Sequence, residues 1–274
     1  YQAQSSFGLV YLILGSPSLV SDDLSSASAV YEGENSSDQA GYGLDGAADF
    51  NADGFDDIAI GAYYNDDGGT KAGAAYIVFG SGSPTSSSLT GTDLQFTGED
   101  DEDVAGWSVA FAGDVNDDGF DDLLVGAKWN DNGADEGGAA SLVLGGSAVS
   151  SGSLSLADAT YAGTSDDDYA GSAVAAAGDV DDDGFDDMLV GAPGAGSGGY
   201  AYLVRGSALP SSTVLSAADA ALTAASSGDY AGHALAGVGD IDADGYDDVG
   251  VGAYSNDDGA SGAGAVYLLL GGSI

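Results

Sequence analysis

Asp49-Phe50-Asn51-Ala52-Asp53-Gly54-Phe55-Asp56-Asp57 is the first of four near-copies of one acidic segment; the others begin at Asp114, Asp179 and Asp240. Successive copies start 65, 65 and 61 residues apart. Each reads D-x-[DN]-x-D-G-[FY]-D-D and runs straight into a short apolar stretch ending in Gly-Ala. Four copies at near-constant spacing mark a repeat architecture and point to a ligand.

The repeat extends on both sides of the acidic segment. A Gly-led strand is predicted before each loop, at 41–44, 106–109, 171–174 and 232–235, and a second after it, at 58–62, 123–127, 188–192 and 249–253. Large apolar residues in these second stretches fall two apart, as in Ile58 and Ile60, Leu123 and Val125, and Val249 and Val251. That is strand period, and the runs are too short and too Gly-rich for helices. Third strands are expected at 73–80, 138–145, 199–206 and 264–271, and weaker fourth strands at 94–98, 159–163 and 221–223.

Four short strands per repeat, joined by Gly, Ser and Asp turns, predict an all-β protein: a β-propeller of about four four-stranded blades. One propeller then fills 1–274, with a partial blade of third and fourth strands at 1–34. Full blades follow at 35–98, 99–163 and 164–224, and the blade at 225–274 lacks its fourth strand. The N-terminal strands could complete the last blade or pair with a neighbour, because an unpaired strand edge is a natural docking site.

The chain carries 45 acidic residues against Lys71, Lys128 and Arg205, a formal net charge of −42. That excludes the basic footprint of a nucleic-acid binder and disfavours anionic membranes. Such repulsion calls for bound cations or high salt. Twenty of the acids lie in the four loops; the remaining 25 need a separate reason, and a marine or halophilic surface is the simplest. Hydrophobic residues make up 44%, too many for a disordered chain. Cysteine is absent, which removes disulfides, thiolate metal sites and cysteine nucleophiles. No stretch reaches transmembrane length and no signal peptide is visible; a start at Tyr1 suggests a chain processed or excised from something longer.

The acidic segment has the chemistry of a calcium loop. Side chains at positions one, three and five converge if the backbone curls, and Gly at position six permits the turn. Position seven offers a backbone carbonyl and position nine a further carboxylate. The expected ligand sets are Asp49, Asn51, Asp53, Phe55 and Asp57; Asp114, Asn116, Asp118, Phe120 and Asp122; Asp179, Asp181, Asp183, Phe185 and Asp187; and Asp240, Asp242, Asp244, Tyr246 and Asp248. All-oxygen sets select hard cations, and flexible carboxylate loops suit Ca²⁺ better than Mg²⁺, giving about four ions. An EF-hand would need an acid at position twelve, where Ile60, Val125, Val190 and Val251 stand instead. The first two sites carry three carboxylates and the last two carry four, so the Asp179 and Asp240 sites are expected to bind more tightly.

The full unit is G-x-x-[VL]-x-x-x-G-D-x-[ND]-x-D-G-[FY]-D-D-x-x-[VI]-G-A followed by G-x-x-Y-[LI]-[VL]. It resembles the FG-GAP repeat of integrin α-subunit propellers and their bacterial relatives, over nearly the whole chain. The resemblance implies Ca²⁺ in the loops and a role in adhesion or protein recognition. The chain departs from the pattern in two ways. Alanine replaces the Phe of "FG" at Ala40, Ala105, Ala170 and Ala231, and "GAP" is intact only at Gly191-Ala192-Pro193. Integrin propellers have seven blades, against about four encoded here.

Lesser features have plainer readings. Asn65-Asp66-Asp67-Gly68, Asn130-Asp131-Asn132-Gly133 and Asn256-Asp257-Asp258-Gly259 read as hairpin turns, with a further cation site as the alternative. The acids at 99–103 and 166–168 read as solvated charge. Asp56, Asp121, Asp186 and Asp247, at loop position eight, are expected to brace the loop. His233 is the only histidine and occupies the slot of Tyr42, Trp107 and Ser172, leaving no zinc site or catalytic triad to build. The aromatics are scattered and single out no sugar platform. The expected function is a non-enzymatic, calcium-stabilised adhesion or scaffold module, extracellular or on the cell surface, with a protein or surface ligand. The alternatives are a subunit of a self-assembling filament and an accessory propeller of a larger secreted hydrolase.

Overall fold

The computed structural model describes residues 7–16, 24–224 and 226–272. Among these the chain is all-β, its only helix four single 3-10 turns. Repeat 1 is built from strands Leu44–Ala48, Asp57–Ala62, Ala74–Val78 and Leu94–Thr97. Repeat 2 uses Ala105–Gly113, Asp122–Ala127, Ala139–Val143 and Ala159–Ala162, and repeat 3 uses Ala173–Gly178, Asp187–Ala192, Tyr200–Val204 and Ala220–Thr223. Repeat 4 contributes Ala231–Gly239, Asp248–Ala253 and Ala265–Leu269. Each repeat is one antiparallel sheet with its strands in chain order, as the periodicity predicts. A register shift ends every first strand, between Gly46 and Ala48, Phe111 and Gly113, Ala176 and Gly178, and Gly237 and Gly239. A bulge at that point turns the chain out of the sheet, directly into the acidic loop.

The fifth sheet is N-terminal. Leu9–Leu12 pairs with Ala29–Glu32, which pairs in parallel with Ser87–Ser88 of repeat 1. The N-terminal strands therefore stack on the first repeat, and no closed ring forms among the described residues. Two further short strands repeat this device: Gly152–Ser153 pairs with Leu94–Thr97, and Thr213–Val214 with Ala159–Ala162. Each is a clasp from the connection between third and fourth strands, reaching back to the outer strand of the preceding sheet. A serine beside each clasp accepts a 2.9 Å bond, Ser86 from the Val30 N–H, Ser151 from Gln95 and Ser212 from Thr160.

The core is a series of layers between consecutive sheets. In the second strand of repeat 2, Leu123 and Val125 pack back on Phe50, Ile77 and Phe96 of repeat 1. Leu124 packs forward on Val174, Met188 and Val190 of repeat 3. All six residues of this strand are buried, because both faces meet a sheet. Each large apolar side chain so buried contributes about 1.5–3 kcal/mol. The glycine of the first three Gly-Ala pairs lets the sheets approach: a Cβ on Gly126 would lie 2.1 Å from the carbonyl oxygen of Gly171 in the next sheet.

Candidate metal centres

The loops close by local hydrogen bonding that sequence position dictates. In repeat 1, Asp49 Oδ1 accepts from the Asp53 N–H at 3.0 Å and Asp49 Oδ2 from the Gly54 N–H at 2.9 Å. The same pair recurs for Asp114 with Asp118 and Gly119, Asp179 with Asp183 and Gly184, and Asp240 with Asp244 and Gly245. Position six needs a left-handed backbone, with φ of 90° at Gly54 and 100° at Gly245, which glycine adopts without strain. Position five bends back to accept from position seven, as Asp53 Oδ1 does from the Phe55 N–H at 3.0 Å.

Positions one, three and five are thereby brought together. Asp179, Asp181 and Asp183 each present an oxygen within 4.8 Å of the others, and so do Asp240, Asp242 and Asp244. In the first two loops position three is an amide: Asn51 Nδ2 donates to Asp53 Oδ2 at 3.2 Å, and Asn116 Nδ2 to Asp118 Oδ2 at 3.0 Å. In the third and fourth loops the clustered donors are all carboxylate oxygens, which fits a hard divalent cation. Asp181 Oδ1 supports that fit, being buried without a hydrogen-bond partner.

Position nine is placed differently. Asp57, Asp122, Asp187 and Asp248 are fully buried at the start of the second strand. Asp57 Oδ2 accepts from the Phe50 N–H at 3.0 Å and Asp57 Oδ1 from the Gly80 N–H at 2.7 Å, tying the loop to the end of the third strand. Burial, opposed by these bonds and reinforced by the neighbouring loop acids, pushes Asp57 up to about 6 and Asp122 up to about 7. The oxygen clusters at Asp179–Asp183 and Asp240–Asp244 do not include Asp187 or Asp248.

Position eight joins consecutive loops. Asp121 Oδ2 accepts from the Asp49 N–H at 2.6 Å, Asp186 Oδ2 from Asp114 at 2.9 Å, and Asp247 Oδ2 from Asp179 at 3.1 Å. In return, the N–H groups of Asp121, Asp186 and Asp247 donate to the carbonyls of Asp49, Asp114 and Asp179. Bracing is thus the observed role of these three, but each braces the loop of the preceding repeat rather than its own.

Sequence reasoning missed a second buried set. Asp103 and Asp168, read as solvated charge, are only 3% and 6% exposed; Asp38 and Asp229 match them. All four begin a D-x-A-G tetrad, at Asp38, Asp103, Asp168 and Asp229, a repeat visible in the sequence. Three accept from the buried asparagine of the following hairpin turn: Asn65 Nδ2 to Asp38 at 3.3 Å, Asn130 to Asp103 at 3.0 Å and Asn256 to Asp229 at 2.9 Å. Those turns are Asx turns, in which Asn65 Oδ1 accepts from the Asp67 N–H at 2.9 Å.

The strand ends opposite the acidic loops gather aromatic residues that the sequence scatters. Tyr42 lies 4.6 Å from Tyr63 and 4.7 Å from Trp107 between ring centroids, and Lys128 Nζ sits 3.8 Å over the Trp107 ring. His233 packs edge-on against Tyr254 at 4.6 Å, filling the slot that aromatics occupy in repeats 1 and 2.

Residues 40–78, 105–143 and 170–204 match the FG-GAP repeat family. Each match opens at the alanine before the Gly-led strand and closes in the third strand. The chain is 31% identical over 185 residues to integrin alpha-5 of Xenopus laevis and 37% identical over 174 residues to integrin alpha-V of Gallus gallus. These alignments cover 62% and 59% of the chain but only 17% and 16% of the relatives. The chain thus carries three FG-GAP repeats and is integrin-α-like across them.

Proposed function

We propose that this chain is a calcium-stabilised β-propeller module for adhesion or scaffolding, outside the cell and without catalytic activity of its own. The carrying observation is the linked row of four loops, each closed on its position-one carboxylate and each of the first three held by the next. In this reading the sets at Asp49, Asp114, Asp179 and Asp240 hold about four Ca²⁺ ions. Side chains at positions one, three, five and nine are the ligands, joined by the carbonyls of Phe55, Phe120, Phe185 and Tyr246. The blades run 35–98, 99–163 and 164–224, flanked by partial blades at 1–34 and 225–274. Bound calcium stabilises the fold by its binding free energy, because the unfolded chain has no assembled site. Calorimetric titration should give about four ions per chain, and excess chelator should lower the melting temperature. An unchanged melt in chelator would overturn the reading.

A second reading, self-assembly by strand complementation, draws on the exposed last sheet. Along Ala265–Leu269, Val266 is 79% exposed and Leu268 is 50% exposed, with no fourth strand beside them among the described residues. Light scattering across concentrations tests it, and a concentration-independent monomer would remove it.

A further inference from the structure

One of the three cations of the chain sits at the third acidic loop. Arg205 Nη1 lies 2.9 Å from Asp181 Oδ2, at loop position three. The arginine follows the third strand of its repeat, and the equivalent residues elsewhere are Phe79, Leu144 and Leu270. The backbone at this position is the same in three repeats. The N–H groups of Phe79, Leu144 and Arg205 donate to Asp93, Asp158 and Asp219 at 2.8, 2.9 and 3.0 Å. Only the side chain differs, so the ion pair is an addition to a constant frame.

The pair divides the Asp181 carboxylate. Oδ2 faces the guanidinium, while Oδ1 is buried without a partner beside Asp179 and Asp183. The count of expected ligand carboxylates alone ranks the third loop with the fourth, at four each. The arginine breaks that tie, since it offsets one negative charge and holds Asp181 to a single free oxygen. A cation entering the loop must either displace the guanidinium or bind beside a like charge. Without metal, the same guanidinium relieves repulsion between Asp179, Asp181 and Asp183.

We infer that Arg205 is a built-in counter-cation of the third loop, holding its carboxylates together without calcium and lowering its calcium affinity below that of the fourth. The inference rests on the calcium reading of the loops. It predicts that the Asp240 loop fills first and that the Asp179 loop fills later than its acids imply.

The test uses Arg205→Leu, which installs the residue found in repeats 2 and 4 and so preserves the repeat frame. The amides of Gly54, Gly119, Gly184 and Gly245 each donate to a position-one carboxylate and report their own loop. Calcium titration of the ¹⁵N-labelled chain, followed at these four amides, should show the Gly184 midpoint falling roughly fivefold in the variant, with the other three unchanged. Lys71→Ala, which removes a cation paired with Glu102 instead, should leave Gly184 unmoved. An unchanged or weakened Gly184 response in Arg205→Leu, or an equal tightening in Lys71→Ala, overturns the inference while leaving the calcium reading standing. If no glycine amide responds to calcium in the unsubstituted chain, the calcium reading itself fails and this inference with it.

Discussion

Asp186 accepts a 2.9 Å hydrogen bond from the backbone N–H of Asp114, 72 residues earlier and in the previous repeat. The carboxylate of one loop thus fixes the first donor of another. Asp186→Ala should weaken calcium binding at the Asp114 loop by about tenfold, as removal of an outer partner of a metal ligand commonly does. The effect should be read at the Gly119 amide. A loss confined to the Asp179 loop, where Asp186 itself resides, would show that the inter-repeat bond carries no weight.

Stability without calcium should fall as pH rises. Burial lifts Asp57, Asp103 and Asp187 to about 6 and Asp122 to about 7. An unfolded aspartate titrates near about 3.9. Between these values the folded chain binds more protons than the unfolded one. Their contribution is therefore full below about pH 4 and lost as pH climbs through about 6 to 7. In chelator, the urea midpoint should be higher at about pH 4.5 than at about pH 7.5, and saturating calcium should reverse the order by favouring the ionised carboxylates. A midpoint that rises with pH in chelator would contradict the assignment.

Gly126→Ala should destabilise the chain by about 1–3 kcal/mol or more, because the new methyl meets the Gly171 backbone and cannot be accommodated by a side-chain rotation. Gly152→Ala is the matched control, since nothing lies within 4 Å of its added Cβ. Equal melting temperatures for the two variants would disprove the close sheet approach.

Asp103→Ala should cost about 1–3 kcal/mol by stranding the Asn130 amide and the Asp100 N–H, which both donate to Asp103 Oδ2. Asp103→Asn keeps an acceptor and should recover much of that loss. Thermal melts of both variants check the order.

The strands and loops were legible because they obey local rules. Period-two apolar pairs such as Leu123 and Val125 locate the second strands, and D-x-[DN]-x-D-G locates the turns between them. The clasps were not legible: Ser87–Ser88 is two residues long and carries no period, and its partner Ala29–Glu32 lies in another sheet. The buried Asp103 was masked by its neighbours, since Glu99, Asp100, Asp101 and Glu102 surround it with solvated charge. The Arg205–Asp181 pair depends on a third strand returning to the loop, and no local pattern encodes that return. The aromatic cluster around Trp107 arises for the same reason, as two strand ends from adjacent sheets meet.

The clasps and the loop braces point the same way along the chain. Ser87–Ser88 completes the sheet before it, and Asp121 completes the loop before it. On a ribosome, each repeat would therefore emerge unfinished and be sealed only when its successor arrives. Assembly then has a direction, and it stays open at the leading end of the described residues, where no clasp pairs with Ala220–Thr223 of repeat 3 and no later aspartate braces the Asp240 loop of repeat 4.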